Sequence, residues 1–159
     1  MDITKLYQDF ILKRSQDDQN FEKRLTAQHT LEAYNPLCGD KFKLFLDVEN
    51  GVISKASFHG YGCAISKAST SVLIEKIQNK TYSEALILIK TYFDVLNAKN
   101  TVESNEIPHT CGKGVLLEKN ATQIDSDIQA FEVMQQFPER MTCATLSWQA
   151  ALDFLADVK

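Results

Sequence analysis

The sequence lacks the features that mark membrane, secreted and nucleic-acid-binding proteins. No apolar run approaches the length of a membrane span, and the opening residues, MDITKLYQDFILKRSQDD, contain neither a signal-peptide core nor a cleavage site. Positive charge is not in excess, since 17 lysines and arginines face 21 aspartates and glutamates. Internal repeats and low-complexity tracts are also missing. We therefore expect a cytoplasmic protein that binds neither a membrane nor nucleic acid.

What is present fits one ordinary globular domain over residues 1–159. Hydrophobic residues make up 44% of the chain and charged residues 24%, which is enough apolar material for a real core. The chain has four cysteines, and no two of them are spaced as in a zinc-finger CxxC pair. In the expected compartment they are metal ligands, catalytic thiols or buried packing residues rather than structural disulfides.

Two apolar alternations predict a β-hairpin near the middle of the chain. Residues 41–49, KFKLFLDVE, place alternate apolar side chains on one face, and residues 52–60 alternate less cleanly. Between them stands Asn50-Gly51, a pair that favours the positive φ angles of a two-residue turn. We expect this hairpin to form the centre of a small, mostly antiparallel sheet.

Helical patterns surround the hairpin and dominate the second half of the chain. They cover residues 3–15, the stretch from near Cys63 through Ile77, residues 83–98 with Ser83 as N-cap, residues 126–136, and the chain from Thr142 onward. Residues 99–125 keep no period, and we predict an irregular excursion there. Strands before helices indicate an α+β fold, with the helices packed on one face of the sheet.

Three cysteines fall at the ends of predicted elements. Cys38 follows Asn35-Pro36 and precedes Gly39, Cys63 follows a glycine pair where a strand meets a helix, and Cys143 opens the last helix. A helix N-terminus favours the thiolate, which is both a metal ligand and a nucleophile. With Asp40 the three thiols make a candidate tetrahedral site suited to zinc or to iron–sulfur chemistry. The alternative is that Cys63 and Cys143 are small buried residues that pack helix starts.

Three sequence blocks carry a resemblance to a known family. NPLCGD (35–40), FHGYGCAISKAST (58–70) and CATLSW (143–148) resemble, in order, the signature blocks of the iron–sulfur cluster assembly scaffold family of IscU, NifU N-terminal and SufU type. Within it the chain resembles the SufU-like branch. Arg140 stands three residues before Cys143, where IscU-type members carry a His-Cys pair, and the connection from Cys63 to Cys143 is long.

The resemblance implies a three-stranded sheet covered by helices and a zinc ion bound by Cys38, Asp40, Cys63 and Cys143. It further implies a sulfur acceptor that works with a pyridoxal-phosphate cysteine desulfurase of the SufS type, a sulfurtransferase function shared with that enzyme. Cys38 would accept the persulfide because its turn is the most flexible setting of the three. Arg140 would support the anionic persulfide or the metal ligands; the competing interpretation is a plain surface arginine.

Two other functions remain open at this stage. The same thiols, Cys38, Cys63 and Cys143, could carry a nascent [2Fe–2S] cluster that passes to downstream assembly components or apo-proteins, which would make the chain a scaffold. A purely structural zinc domain that binds a partner is the third reading. The carboxylate of Asp40 argues against it, because structural zinc sites are usually closed by cysteine and histidine.

The fourth cysteine gives the first testable prediction. His109 and Cys111 lie in IPHTCGKG, which has no counterpart in the family blocks, and we interpret them as ordinary loop residues rather than alternative ligands. Replacing Cys111 by serine should therefore leave zinc content and sulfur acceptance unchanged, as measured by metal analysis and intact mass. Loss of zinc or of sulfur acceptance in this variant would instead show that Cys111 belongs to the metal site.

Overall fold

The computed structural model describes residues 3–37, 39–97 and 125–157, which form a three-stranded antiparallel sheet and surrounding helices. The strands are β1 (His29–Asn35), β2 (Asp40–Glu49) and β3 (Val52–Tyr61), with β2 in the middle. The helices are α1 (Ile3–Ser15), α2 (Ala64–Ile77), α3 (Tyr82–Leu96), α4 (Ser126–Gln129) and α5 (Met141–Asp157); 3-10 turns at Ala130–Gln136 and Pro138–Arg140 join α4 to α5. The predicted α+β class is confirmed. None of these helices combines the length and apolarity needed to cross a bilayer.

The predicted hairpin is also confirmed. β2 and β3 pair antiparallel, and the turn residues Asn50 and Gly51 have φ angles of 53° and 77°. The register shifts between Asp47 and Val48 of β2, where Ser54 of β3 is left as an extra residue between the paired Ile53 and Lys55. The pairing carries Tyr61, the last residue of β3, to the same end of the sheet as the start of β2, which brings the following Gly62-Cys63 beside Asp40.

The strand β1 escaped the residue patterns and was implied only by the family resemblance. Its sequence, HTLEAYN, offers two apolar side chains for the inner face, Leu31 and Ala33, and alanine is a poor strand former. Pairing with β2 decides the conformation. The register sets Asn35 opposite Asp40, so the turn that contains Cys38 connects two paired strand ends.

The polar stretch after α1, whose structure the sequence left uncertain, covers part of the outer face of the sheet. Phe58 donates its backbone N–H to Asn20 O at 3.0 Å, and Glu22 donates to Phe58 O at 2.9 Å, so this stretch pairs along the edge of β3. Arg24 then reaches over the sheet, where it pairs with Asp47. A backbone N–H from Gln28 and the Arg24 guanidinium outweigh desolvation and hold the pKa of the Asp47 carboxyl below its usual value.

The helices bury the inner face of the sheet in one core. α2 lies at the centre of this layer and contacts α1, α5 and β3. The aromatic ring of Tyr92 on α3 stacks on Trp148 of α5, with ring centroids 3.7 Å apart and planes 4° from parallel. The largest fully buried apolar side chains are Trp148, Tyr92, Phe42, Phe45, Phe58, Phe131, Leu44, Leu46, Ile53, Leu73, Ile74 and Ile77.

Two helix predictions need correction. The predicted N-cap Ser83 lies inside α3, because Thr81 caps the helix two residues earlier in a reciprocal capping box with Glu84. The single helix predicted over residues 126–136 is a short α-helix followed by a 3-10 turn. The excursion predicted at 99–125 lies outside the described residues, apart from its last residue, Asp125, which caps α4.

The capping box supplies a paired test of this correction. Thr81 Oγ1 accepts the N–H of Glu84 at 3.1 Å, and Glu84 Oε1 accepts the N–H of Thr81 at 2.9 Å. Thr81→Ala should lower the free energy of unfolding by about 1 kcal/mol in a denaturant titration. Ser83→Ala should cost nothing, since alanine is the better helix former at that exposed position. Equal losses in the two variants would contradict the assigned cap.

Candidate metal centre

Asp40 occupies a buried position at the first residue of β2. Only 2% of its surface is exposed. Its Oδ1 accepts the backbone N–H of Cys63 at 3.1 Å, whereas its Oδ2 is buried with no hydrogen-bond partner among the described residues. A buried carboxylate oxygen left unpaired costs free energy unless a cation or another donor satisfies it. This orphan atom is the structural sign that a ligand belongs here.

Cys63 is the N-cap of α2, as the strand-to-helix position predicted. Its backbone is extended, with φ −75° and ψ 171°, and its Sγ accepts the N–H of Ser66 at 3.4 Å. Ser66 Oγ in turn donates to Cys63 O at 3.1 Å. The sulfur is thus fixed at the helix start in the position where serine or aspartate would ordinarily act as cap.

Cys143 is the third residue of α5 and is 1% exposed. Burial, with further contributions from Cys63 and Asp40, raises the pKa of the Cys143 thiol to about 12, although a hydrogen bond from Arg140 acts in the opposite direction. The thiol therefore keeps its proton at neutral pH in the metal-free chain. Replacing that proton needs a positive charge nearby, which is what a bound metal ion supplies.

The three residues converge on one point. One ligand atom from each of Asp40, Cys63 and Cys143 lies within 4.8 Å of the other two, and this group could hold a metal ion. Two sulfurs and one carboxylate oxygen suit zinc, which takes four tetrahedral ligands, and leave one position for a further ligand. The residues present therefore fit the metal that the family resemblance implies.

Two glycines make room for this arrangement. A Cβ at Gly62 would lie 2.8 Å from Asp40 Oδ1 and 2.5 Å from Ser66 Oγ. At Gly60, with φ 147°, a Cβ would lie 2.2 Å from Lys41 O. The glycine pair that precedes Cys63 is thus required by close approach of β3 to β2 and to the Asp40 carboxylate.

Of the other two predicted site residues, the structure describes Arg140 but not Cys38. Arg140 is exposed at the end of the 3-10 turn before α5, and its side chain hydrogen bonds to Cys143. Cys38 lies outside the described residues, as do His109 and Cys111. On either side of Cys38, Leu37 is 93% exposed and Gly39 has φ 79° and donates its N–H to Asn35 O at 2.8 Å.

A set of buried hydroxyls lies behind the site and was not predicted from the sequence. It belongs to small residues of α2, among them Ser66, Ser69 and Thr70. All three make side-chain hydrogen bonds, and Ser69 and Thr70 bond across to α5. The signal available was the presence of four small polar residues, Ser66, Ser69, Thr70 and Ser71, within six positions of a helix that is otherwise core-facing.

Comparison with known proteins agrees with this architecture. The family model described as NifU-like N terminal domain matches residues 6–107. The zinc-dependent sulfurtransferase SufU of Bacillus subtilis is 28% identical over 93% of this chain and 88% of its own length. The iron–sulfur cluster assembly scaffold protein IscU of Thermotoga maritima is 33% identical over 80% of this chain and 76% of its own. These identities do not separate the SufU and IscU branches.

A solved structure is similar over nearly the whole chain as well. The crystal structure described as that of an iron–sulfur cluster assembly scaffold protein for the SUF system, FiSufU from Fervidobacterium islandicum AW-1, superposes with a TM-score of 0.71. It is 27% identical, and the match covers 90% of this chain and 91% of that one.

The crowding at Gly62 yields a prediction for the metal centre. Gly62→Ala should displace the Asp40 carboxylate or the Ser66 side chain and weaken zinc binding, by about 10-fold if the effect equals loss of an outer-shell contact. Competition with a chromophoric chelator measures this affinity. Gly51→Ala is the matched control, since it strains a positive φ angle with no neighbour within 4 Å and lies at the far end of the hairpin. It should cost stability while zinc affinity stays unchanged.

Proposed function

The chain belongs to the NifU-like N terminal domain family of iron–sulfur cluster assembly proteins, and from that premise we propose that it is a zinc-dependent sulfur acceptor. Its partner would be a pyridoxal-phosphate cysteine desulfurase, and downstream assembly components or apo-proteins would receive the sulfur. One observation carries the proposal: the ligand atoms of Asp40, Cys63 and Cys143 lie within 4.8 Å of one another. The SufU relative named as a zinc-dependent sulfurtransferase supports the choice of metal.

In this proposal the metal ligands are Asp40, Cys63, Cys143 and Cys38. Zinc bound there would keep the cysteine sulfurs deprotonated near neutral pH. Asp40 and Cys143 are buried and held by secondary structure, so they are suited to remain in place. Cys38 is two residues from Asp40 along the chain, within about 7 Å of it between Cα atoms, and follows the exposed Leu37. It is the ligand we expect to leave.

The sulfur transfer itself is a thiol–disulfide type of exchange. The Cys38 thiolate attacks the terminal sulfur of the persulfide on the desulfurase cysteine and forms a new S–S bond. The old S–S bond breaks, and the desulfurase cysteine leaves as a thiolate. Cys38 is then the persulfide, and the exposed guanidinium of Arg140, beside Cys143, can steady its negative charge.

Scaffold function is the second candidate, favoured by the IscU relative that is 33% identical over 80% of this chain. In that case the thiols of Cys38, Cys63 and Cys143 would bind a nascent [2Fe–2S] cluster as cargo. Both candidates need the same residues, so only the product distinguishes them.

Intact-mass analysis and peptide mapping test the proposal. The zinc-loaded protein is mixed without oxygen with a SufS-type desulfurase and cysteine. We expect one added sulfur on Cys38 with zinc still bound, because the exposed turn is the only predicted exchange point. Cys38→Ser should abolish the added sulfur, and Cys111→Ser should not.

Other outcomes would reject the proposal. No added sulfur, with cluster absorbance once iron is supplied, would favour the scaffold. A structural zinc domain would be favoured by two results together. The protein would unfold when zinc is removed, and the Cys38→Ser variant would still stimulate the activity of the desulfurase.

A further inference from the structure

The backbone carbonyl of Ala144, the residue after Cys143, accepts hydrogen bonds from two buried hydroxyl groups. Tyr92 Oη on α3 lies 2.7 Å from Ala144 O, and Ser69 Oγ on α2 lies 2.5 Å from the same oxygen. All three residues are at most 1% exposed. A carbonyl in a helix already has a backbone partner one turn on, so these two side chains give it additional donors.

The proton positions follow from the donors available. Trp148 Nε1 can only donate, and it lies 2.8 Å from Ser69 Oγ and 3.1 Å from Ser69 O. Ser69 Oγ therefore accepts from the indole and gives its own proton to Ala144 O. Burial raises the pKa of Tyr92, so its hydroxyl stays protonated, and its shorter contact is with Ala144 O rather than with Ser69, which is 3.2 Å away. Both hydroxyl groups and the indole N–H thus have partners among the described residues.

These bonds connect the helices on which the site depends. α2 begins at Cys63 and α5 carries Cys143 in its first turn, while α3 carries no proposed ligand. A separate bond, Thr70 Oγ1 to Ser147 Oγ at 2.6 Å, joins α2 and α5 about one turn farther from Cys143 and does not involve the Ala144 carbonyl. Rotation of α5 by 20° would move a Cα atom by about 0.8 Å, given a helix radius of about 2.3 Å. Displacements of that size matter at a metal site.

We propose that Tyr92 and Ser69 are positioning residues that fix the first turn of α5 through the Ala144 carbonyl, and thereby hold Cys143 Sγ in register with Asp40 and Cys63. The inference rests on the proposed function, since it assigns these residues a role toward the zinc site. It gives the serine-rich face of α2 a purpose beyond close packing. Neither residue is one of the proposed ligands.

Tyr92→Phe is the sharpest test because it removes one oxygen and keeps the ring stacked on Trp148. Zinc affinity of the full chain, measured by chelator competition at fixed pH, should fall about 10-fold. In the zinc-free protein, alkylation of Cys143 by iodoacetamide, read by peptide mass, should become faster than in the unsubstituted chain. Ser69→Ala removes the second donor to the same carbonyl and should act in the same direction.

Ser147→Ala is the matched control. It deletes a buried hydroxyl between the same helices, and Thr70 Oγ1 keeps its bond to Ser66 O at 2.8 Å. We expect lower stability with unchanged zinc affinity and Cys143 alkylation. The proposal is overturned if all three variants lose similar stability and none alters zinc affinity or alkylation, or if neither Tyr92→Phe nor Ser69→Ala folds. If the unsubstituted chain binds no zinc, the proposed function fails. The rate of Cys143 alkylation still tests whether Tyr92 and Ser69 fix the first turn of α5.

Discussion

The hydrogen bond from the Cys63 N–H to Asp40 Oδ1 is the contact on which the candidate site depends. It joins the first residue of the central strand to the N-cap of α2 at 3.1 Å, so the sheet and its main covering helix share one fixed point. Gly62 allows the approach, because a Cβ there would collide with the carboxylate. With Oδ1 committed to the backbone, Oδ2 is left without a hydrogen-bond partner among the residues that the structure describes.

This arrangement costs stability in the metal-free chain. In the part of the chain that the structure describes, one buried oxygen of the Asp40 carboxylate has no hydrogen-bond partner, and the Cys143 thiol is removed from water beside a second sulfur. Native proteins satisfy nearly all buried polar atoms, and the exceptions concentrate where a ligand binds. The rest of the fold offsets the cost with a dense apolar core and with well-formed ends such as the capping box of Thr81.

The sequence predicted the features that depend on neighbouring residues, such as turns and the ends of elements. Asn50-Gly51 determines the hairpin turn, and the glycine pair before Cys63 determines where β3 ends and α2 begins. The grouping of Asp40, Cys63 and Cys143 could be proposed from their positions at element ends and from the family blocks, but no local pattern fixes the distances between residues so far apart in sequence. β1 was missed because its pairing with β2, rather than its own composition, makes it a strand. The hydroxyl network was missed for the same reason, since its partners lie on three different helices.

The distance along the chain between Cys63 and Cys143 has a consequence for how the protein is made. Cys143 follows Cys63 by 80 residues, and synthesis proceeds at about 5–20 residues per second. For several seconds, therefore, the emerging chain contains Asp40 and Cys63 but not yet Cys143. A metal ion captured in that interval would meet an incomplete set of ligands. The three groups can therefore come together only after α5 has been synthesised and has docked beside α2.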